Sequence, residues 1–281
     1  MILIADGGST KTDWVAIDQE KELFRTRTKG LNPAILDAGK LKERILNNYE
    51  LEKEKQKVRQ VFFYGAGCGT PQASQKLANV LQEIFPFADI SVAEDMLAAV
   101  YAASGGEEAI VAILGTGSNS CYFDGKKMHM LYPSLGYILM DEASGNWFGK
   151  QLILDFYNKK MPPHIANDFA SKYDLSAQTI KENLYQKEAP NTYLAQFAEF
   201  MNGHKDEDYI KNLLYKGFDL FIKNRILPYE KSTSLPVYFI GSIAWYFQSV
   251  LEKAAKNNNI QLKEIIRRPI DNLIRYHIQK K

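Results

Sequence analysis

Short β-branched and aromatic runs alternate with amphipathic stretches from the first residue onward, and this alternation carries most of the predicted fold. Ile2–Asp6, Asp13–Asp18 and Glu22–Thr28 are separated by tight turns and predict three strands in a meander. A charged amphipathic, helical stretch, 38–57, follows, and Val61-Phe62-Phe63-Tyr64 then reads as a buried strand that stops at Gly65-Ala66-Gly67-Cys68-Gly69. Pro71 and Gln72 open a helix that runs to Phe85, Ile90–Ala93 is a short strand, and Asp95–Ser104 is helical. Strands that alternate with helices in this way predict a largely parallel sheet with crossovers.

From Glu108 the pattern starts again. Ala109–Leu114 is a strand, Gly115-Thr116-Gly117-Ser118 a turn, Cys121–Phe123 a strand, Asp124-Gly125 a hairpin turn and Met128–Tyr132 another strand. The segment 136–149 is glycine-rich, and the chain is then mainly helical through Ile222, with Phe197, Phe200, Phe218 and Phe221 at the spacing of a core-facing stripe. Val237–Ile240 returns as a strand before Gly241-Ser242 and a helix, and Ile260–Ile266 and a helix over 270–278 finish the chain. The repeat predicts two lobes, residues 1–106 and 107–281, with a helical insertion in the second and a last helix placed to pack back on the first.

Composition narrows the function. With 281 residues, 46% of them apolar, the chain can bury a core in each lobe. The 35 basic and 33 acidic side chains are spread along the sequence, which argues against a nucleic-acid partner. No apolar stretch approaches the roughly 20 residues needed to span a bilayer. The first apolar run ends at Asp6 with no basic leader before it, so the expected location is the cytoplasm. Cys68 and Cys121 form no C-x-x-C pair, and His129, His164, His204 and His277 lie far apart, so any metal must rest on oxygen ligands.

Two glycine-hydroxyl turns carry the first candidate chemistry. In Asp6-Gly7-Gly8-Ser9-Thr10-Lys11-Thr12-Asp13, the glycines permit a hairpin with exposed N–H groups, the hydroxyls and Lys11 add donors, and Asp6 at the strand end suits a hydrated Mg²⁺. The same residue types also make an ordinary polar hairpin. The spacing is neither a P-loop nor a dinucleotide fingerprint. Leu114-Gly115-Thr116-Gly117-Ser118-Asn119-Ser120 occupies the equivalent place in the second meander, and two such turns facing each other would grip an oligophosphate from both sides. Val237-Tyr238-Phe239-Ile240-Gly241-Ser242 adds a strand that ends in a glycine before a helix N-terminus. In Val92-Ala93-Glu94-Asp95-Met96 a carboxylate stands where a strand passes into a helix; it can accept a proton from an attacking hydroxyl, or merely cap the helix. Glu94 is expected to point to the other side of the strand.

This set of segments resembles the sugar kinase and actin superfamily. Within it the chain is most similar to the N-acetylglucosamine kinase group, which shares a family with the activator ATPases of benzoyl-CoA reductase and 2-hydroxyacyl-CoA dehydratases. The resemblance implies an α/β fold of two ribonuclease H-like lobes with mixed sheets and a nucleotide cleft between them. It implies ATP and Mg²⁺ as cofactors, an amino sugar as acceptor and a homodimer. By residue, Gly8, Ser9, Thr10, Lys11, Thr12, Gly115, Thr116, Gly117, Ser118, Gly241 and Ser242 would hold ATP, Asp6 the metal, and Asp95 would be the base. Asn32 in Lys29-Gly30-Leu31-Asn32-Pro33, Gly65, Thr116, and Gly136 and Asp141 in the loop 136–145 would join Asp95 around the sugar. The alternative is an ATPase that acts as a nucleotide-driven switch on a partner enzyme. Pro33-Ala34-Ile35 departs from the tryptophan or histidine that these kinases often carry near the G-x-N segment, and neither cysteine is placed to bridge an iron–sulfur cluster as the activators require.

Overall fold

A computed structural model describes residues 1–8 and 10–279, and the chain divides into two compact units, Met1–Gly106 with Arg268–Lys281, and Glu107–Arg267. Each holds one five-stranded mixed sheet.

In the first unit β1 (Ile2–Gly7), β2 (Lys11–Asp18), β3 (Lys21–Lys29), β4 (Gln60–Gly65) and β5 (Asp89–Glu94) are ordered β3-β2-β1-β4-β5. The meander is antiparallel, whereas β4 and β5 run parallel to β1, with Gly7 opposite Gly65 and Gly65 opposite Glu94. Alternation sends Leu3, Ala5, Trp14, Ala16, Val61 and Phe63 to one face, under α1 (Ala38–Leu46), α2 (Tyr49–Glu54) and α3 (Pro71–Ile84). Ile2, Ile4, Val15 and Ile17 go to the other face, where Ala98 and Ala102 of α4 (Asp95–Ser104) meet a helix from the far end of the chain. The amphipathic stretch 38–57 divides between α1 and α2. Asn47 ends α1, and the Asn48 side chain accepts from Leu51 N–H at 3.2 Å to start α2 while donating to Thr26 Oγ1 at 2.7 Å.

In the second unit β6 (Ala109–Leu114), β7 (Ser118–Phe123), β8 (Met128–His129), β9 (Pro236–Ile240) and β10 (Gln261–Ile266) are ordered β10-β9-β6-β7-β8, the topology of the first sheet repeated strand for strand. β8 is shorter than the pattern over 128–132 predicts, because Leu131 and Tyr132 turn outward before Pro133, which has no N–H to continue a ladder. Between β8 and β9 lie α5 (Gly145–Tyr157), α6 (Pro163–Lys172), α7 (Ala177–Tyr185), α8 (Pro190–Gln196), α9 (Phe200–Gly203) and α10 (Asp208–Phe221). Phe197, Phe200, Phe218 and Phe221 are buried in one core with Phe148 and Phe239, as their spacing predicts. Helices α11 (Ser242–Tyr246) and α12 (Gln248–Asn257) link β9 to β10. After them α13 (Ile270–Gln279) belongs to the first unit, where Ile270 and Leu273 join the Ile2–Ile4 core and Asn272 donates to Ala102 O at 2.9 Å. Among the described residues no helix is long and apolar enough to cross a membrane.

Candidate functional site

The parallel strands of the first unit end at one edge of its sheet, and the loops that leave them are tied together there. Gly8 N–H donates to Lys11 O at 2.8 Å and closes the β1–β2 hairpin, Ala66 N–H donates to Gly7 O at 2.8 Å, and Gly30 N–H donates to Thr10 O at 2.9 Å. Three predicted segments, the 6–13 turn, 29–33 and 65–69, thus meet at one place. Asn32 is pinned against Gly67: a Cβ on Gly67 would lie 1.9 Å from Asn32 Oδ1, and that glycine sits at φ +80°, so only glycine fits. Ser9 lies outside the described residues.

Charge at this edge is unbalanced toward acid. By alternation Asp6 and Asp13 share the sheet face on which α4 begins with Asp95. Burial raises the Asp6 carboxyl to about 7, with Asp95 and Asp13 adding repulsion and Lys11 working the other way. Burial also raises Asp95 to about 6, helped by Glu94 and opposed by the backbone N–H groups of Met96 and of Asp95 itself. Glu94, at the cap position of α4, makes no capping hydrogen bond, and burial raises its carboxyl as well. It therefore adds its field to that of Asp95, a role that its expected position across the strand did not foretell. Lys11 lies 3.8 Å from Asp13, whose second oxygen accepts from Arg27 Nε at 2.6 Å. Thr12 is 0% exposed, and its hydroxyl has no hydrogen-bond partner among the described residues, an arrangement that natural proteins rarely leave in place.

The second unit repeats the construction with different bracing. Gly115 N–H donates to Gly117 O at 3.0 Å within the β6–β7 turn. The N-terminus of α5 supports this turn from outside, because Gly145 N–H donates to Gly115 O at 2.8 Å and Asn146 N–H to Thr116 O at 3.0 Å. Ser144 caps that helix, its Oγ accepting from Trp147 N–H at 3.2 Å. Gly241, at φ +118°, brings the β9–α11 turn against the end of β6, where a Cβ would lie 2.3 Å from Leu114 O and 3.3 Å from Gly115 N. Gly115, Thr116, Gly117, Ser118, Gly241 and Asp141 are therefore gathered in one place, with Ser242 opening α11 beside them. Gly136 stands apart in the loop after β8, at φ +75° with nothing within 4 Å of a Cβ there.

Asp141 does not reach toward open space. It is buried, accepts from Ser118 N–H at 3.3 Å and from Asn146 Nδ2 at 2.7 Å, and its Oδ2 would lie 2.8 Å from a Cβ on Gly117. Glu142 beside it takes two hydrogen bonds from Arg225 at 3.1 Å, and Ser118 Oγ donates to Glu142 O at 2.7 Å. Sequence reasoning missed Asn146, Ser144 and Arg225. Ser144 was legible as a cap ahead of the Trp147–Phe148 run, whereas no local signal joins Arg225 to Glu142.

A structure from Porphyromonas gingivalis, named as a "Putative N-acetylglucosamine Kinase", shares 38% identity over 99% of both chains with a TM-score of 0.93. A protein of the same name from Chromobacterium violaceum has 17% identity over 98% of both chains and a TM-score of 0.77. A ROK family glucokinase from Streptomyces griseus, in complex with glucose and AMPPNP, has 13% identity over 99% of this chain and 98% of its own, with a TM-score of 0.64. The last two share the fold alone. No curated protein matches the chain. The family model for the BadF/BadG/BcrA/BcrD ATPase family matches residues 5–202, most of the length, and the chain belongs to that family.

Proposed function

We propose that the chain is an ATP-dependent kinase that transfers the γ-phosphate to a hydroxyl of an amino sugar, with N-acetylglucosamine the first acceptor to test. The observation that carries this reading is Asp95, whose carboxyl stands at a strand-to-helix junction and is held by burial near 6, close enough to neutrality to exchange a proton with a hydroxyl. The family membership and the P. gingivalis relative support ATP and a sugar in the same sense.

In this mechanism Asp95 orients the acceptor hydroxyl and takes its proton as the oxygen attacks the γ-phosphorus. Asn32 and Gly65 line the acceptor side, with Thr116, Gly136 and Asp141 assigned there by resemblance. The phosphates fall to Gly8, Ser9, Thr10, Lys11 and Thr12 and to Gly115, Thr116, Gly117 and Ser118, with Gly241 and Ser242 receiving the nucleoside. Asp6 fits Mg²⁺, since that ion takes one or two carboxylates and completes its shell with water and phosphate oxygens, and a cation relieves the repulsion that Asp95 and Asp13 impose on Asp6. When bound, Mg²⁺ neutralises charge on the transferred phosphoryl group.

A second reading, a nucleotide-driven switch acting on a partner enzyme, follows from the ATPase name of the family. Both cysteines are buried, which leaves neither exposed to share an iron–sulfur cluster with a second copy. An ADP-release assay over glucosamine, N-acetylglucosamine, N-acetylmuramate and glucose separates the two. Turnover is expected only with an amino sugar, and Asp95→Asn is expected to lower kcat by about 10²-fold to 10⁴-fold without loss of fold. ADP release indifferent to every sugar would sink the kinase reading.

A further inference from the structure

Glu94 is a charged group without a counterpart. Its side chain makes no capping hydrogen bond to α4, and burial raises its carboxyl with no cation or donor pulling the other way. A half-buried carboxylate in that state costs stability, and such groups cluster where a ligand completes them. Register sets its direction. Gly7, Gly65 and Glu94 stand in one row across β1, β4 and β5, so Glu94 takes the sheet face of α3 and leaves the opposite face to Asp6 and Asp13. The Mg²⁺ proposed at Asp6 is therefore not its counterion.

What Glu94 faces is the loop 65–69. A Cβ on Gly69 would lie 3.5 Å from Glu94 Oε2, while on the same loop Gly67 is pressed against Asn32. Cys68, between those two glycines, lies within reach of the charges of both Asp95 and Glu94. The loop is held in shape, because Ser74 Oγ donates to Cys68 O at 2.6 Å and Cys68 N–H donates to Gly65 O at 3.3 Å. Lys76 Nζ donates to Pro33 O at 2.7 Å and ties α3 to the segment that carries Asn32. Asn32, Asp95 and Glu94 thus stand around one braced glycine loop as an amide, the proposed base and a spare negative charge.

We propose that Glu94 is a specificity-determining residue that reads a free ammonium on the acceptor, so that among amino sugars the unacetylated amine is preferred over the acetamide. This rests on the proposal that the acceptor binds at the 65–69 loop beside Asp95. The ground is charge. An ammonium gives Glu94 the counter-charge that the chain withholds, and a charge-assisted hydrogen bond is about twice as strong as the neutral bond that an acetamide or a hydroxyl offers.

The test uses the full chain with a chelator and no nucleotide, at pH 7, and reads Kd by ligand-observed NMR titration for glucosamine, N-acetylglucosamine and glucose. Glucosamine is expected to bind about tenfold tighter than either neutral sugar. Glu94→Ala, which leaves no polar group to rotate into place, is expected to bring that ratio below about threefold, whereas Glu94→Asp keeps the charge and keeps glucosamine the tighter ligand. A ratio taken within one variant cancels any loss of stability or change at Asp95 that all three sugars share. The proposal is overturned if the wild type binds none of the sugars, binds them equally or prefers the acetamide, or if Glu94→Ala keeps the ratio. ADP release with MgATP is measured separately. Glucosamine binding that depends on Glu94, without ADP release, would defeat the kinase reading and leave this inference standing; turnover of N-acetylglucosamine with a ratio indifferent to Glu94 would do the reverse.

Discussion

Asp6 shows at the scale of one residue how a candidate site sets itself against stability. Its carboxyl titrates at about 7 in the folded chain, pushed there by burial and then by Asp95 and Asp13, against about 3.9 when unfolded. The folded state thus holds a proton that the unfolded state gives up between those values. The resulting stabilisation is complete below the unfolded value and is lost as pH rises through 7. Asp6→Asn, studied without Mg²⁺ and with a chelator, is therefore expected to raise Tm by roughly 2–4 °C at pH 8 and to change it little at pH 4. A variant less stable than wild type at pH 8 would mean that the charged form of Asp6 is held by contacts stronger than its burial penalty. Asp6 and Asp95 were both legible from their places at strand ends. That they repel each other was not, because the register of β1 with β4 and β5 brings them together across nearly ninety residues of sequence.

Among the elements, turns decide more than helices. The helical stretches follow their apolar stripes, and the amphipathic stretch 38–57 divides where two adjacent asparagines end one helix and cap the next. Gly241 carries the opposite lesson. Its neighbours read as a strand that ends in a glycine before a helix N-terminus, and in the fold that glycine combines φ +118° with an approach to Leu114 O that excludes a Cβ. Gly241→Ala should cost on the order of 1–3 kcal/mol and lower Tm by roughly 2–10 °C. Gly125→Ala makes the control, since Gly125 has φ +88° but nothing within 4 Å of a Cβ, so it isolates the backbone strain from the collision. Equal losses in the two variants would show that the packing against β6 contributes nothing.

At the scale of the molecule the proposed function has a thermodynamic signature that needs no acceptor. A ligand that binds only the folded chain stabilises it by about 2.7 kcal/mol at a hundred times its Kd. ATP with Mg²⁺ should accordingly raise Tm by roughly 5–10 °C, and AMP by much less, because the proposed donors of both turns await the β- and γ-phosphates. Equal shifts with AMP and ATP would remove the turns from phosphate binding.

The duplicated order of strands and turns was available from sequence alone, because hydrophobic alternation and glycine placement are local and each lobe's meander writes the same pattern twice. So were the strand-end carboxylates and the glycine-hydroxyl turns, whose chemistry depends on residue type at short spacing. Which groups brace them was decided only in three dimensions. Asp141 bonded to Ser118 and Asn146 and Arg225 reaching Glu142 pair residues far apart in the chain or turned by one unusual φ. Such pairings follow from the packing of whole elements, which no short window of sequence contains.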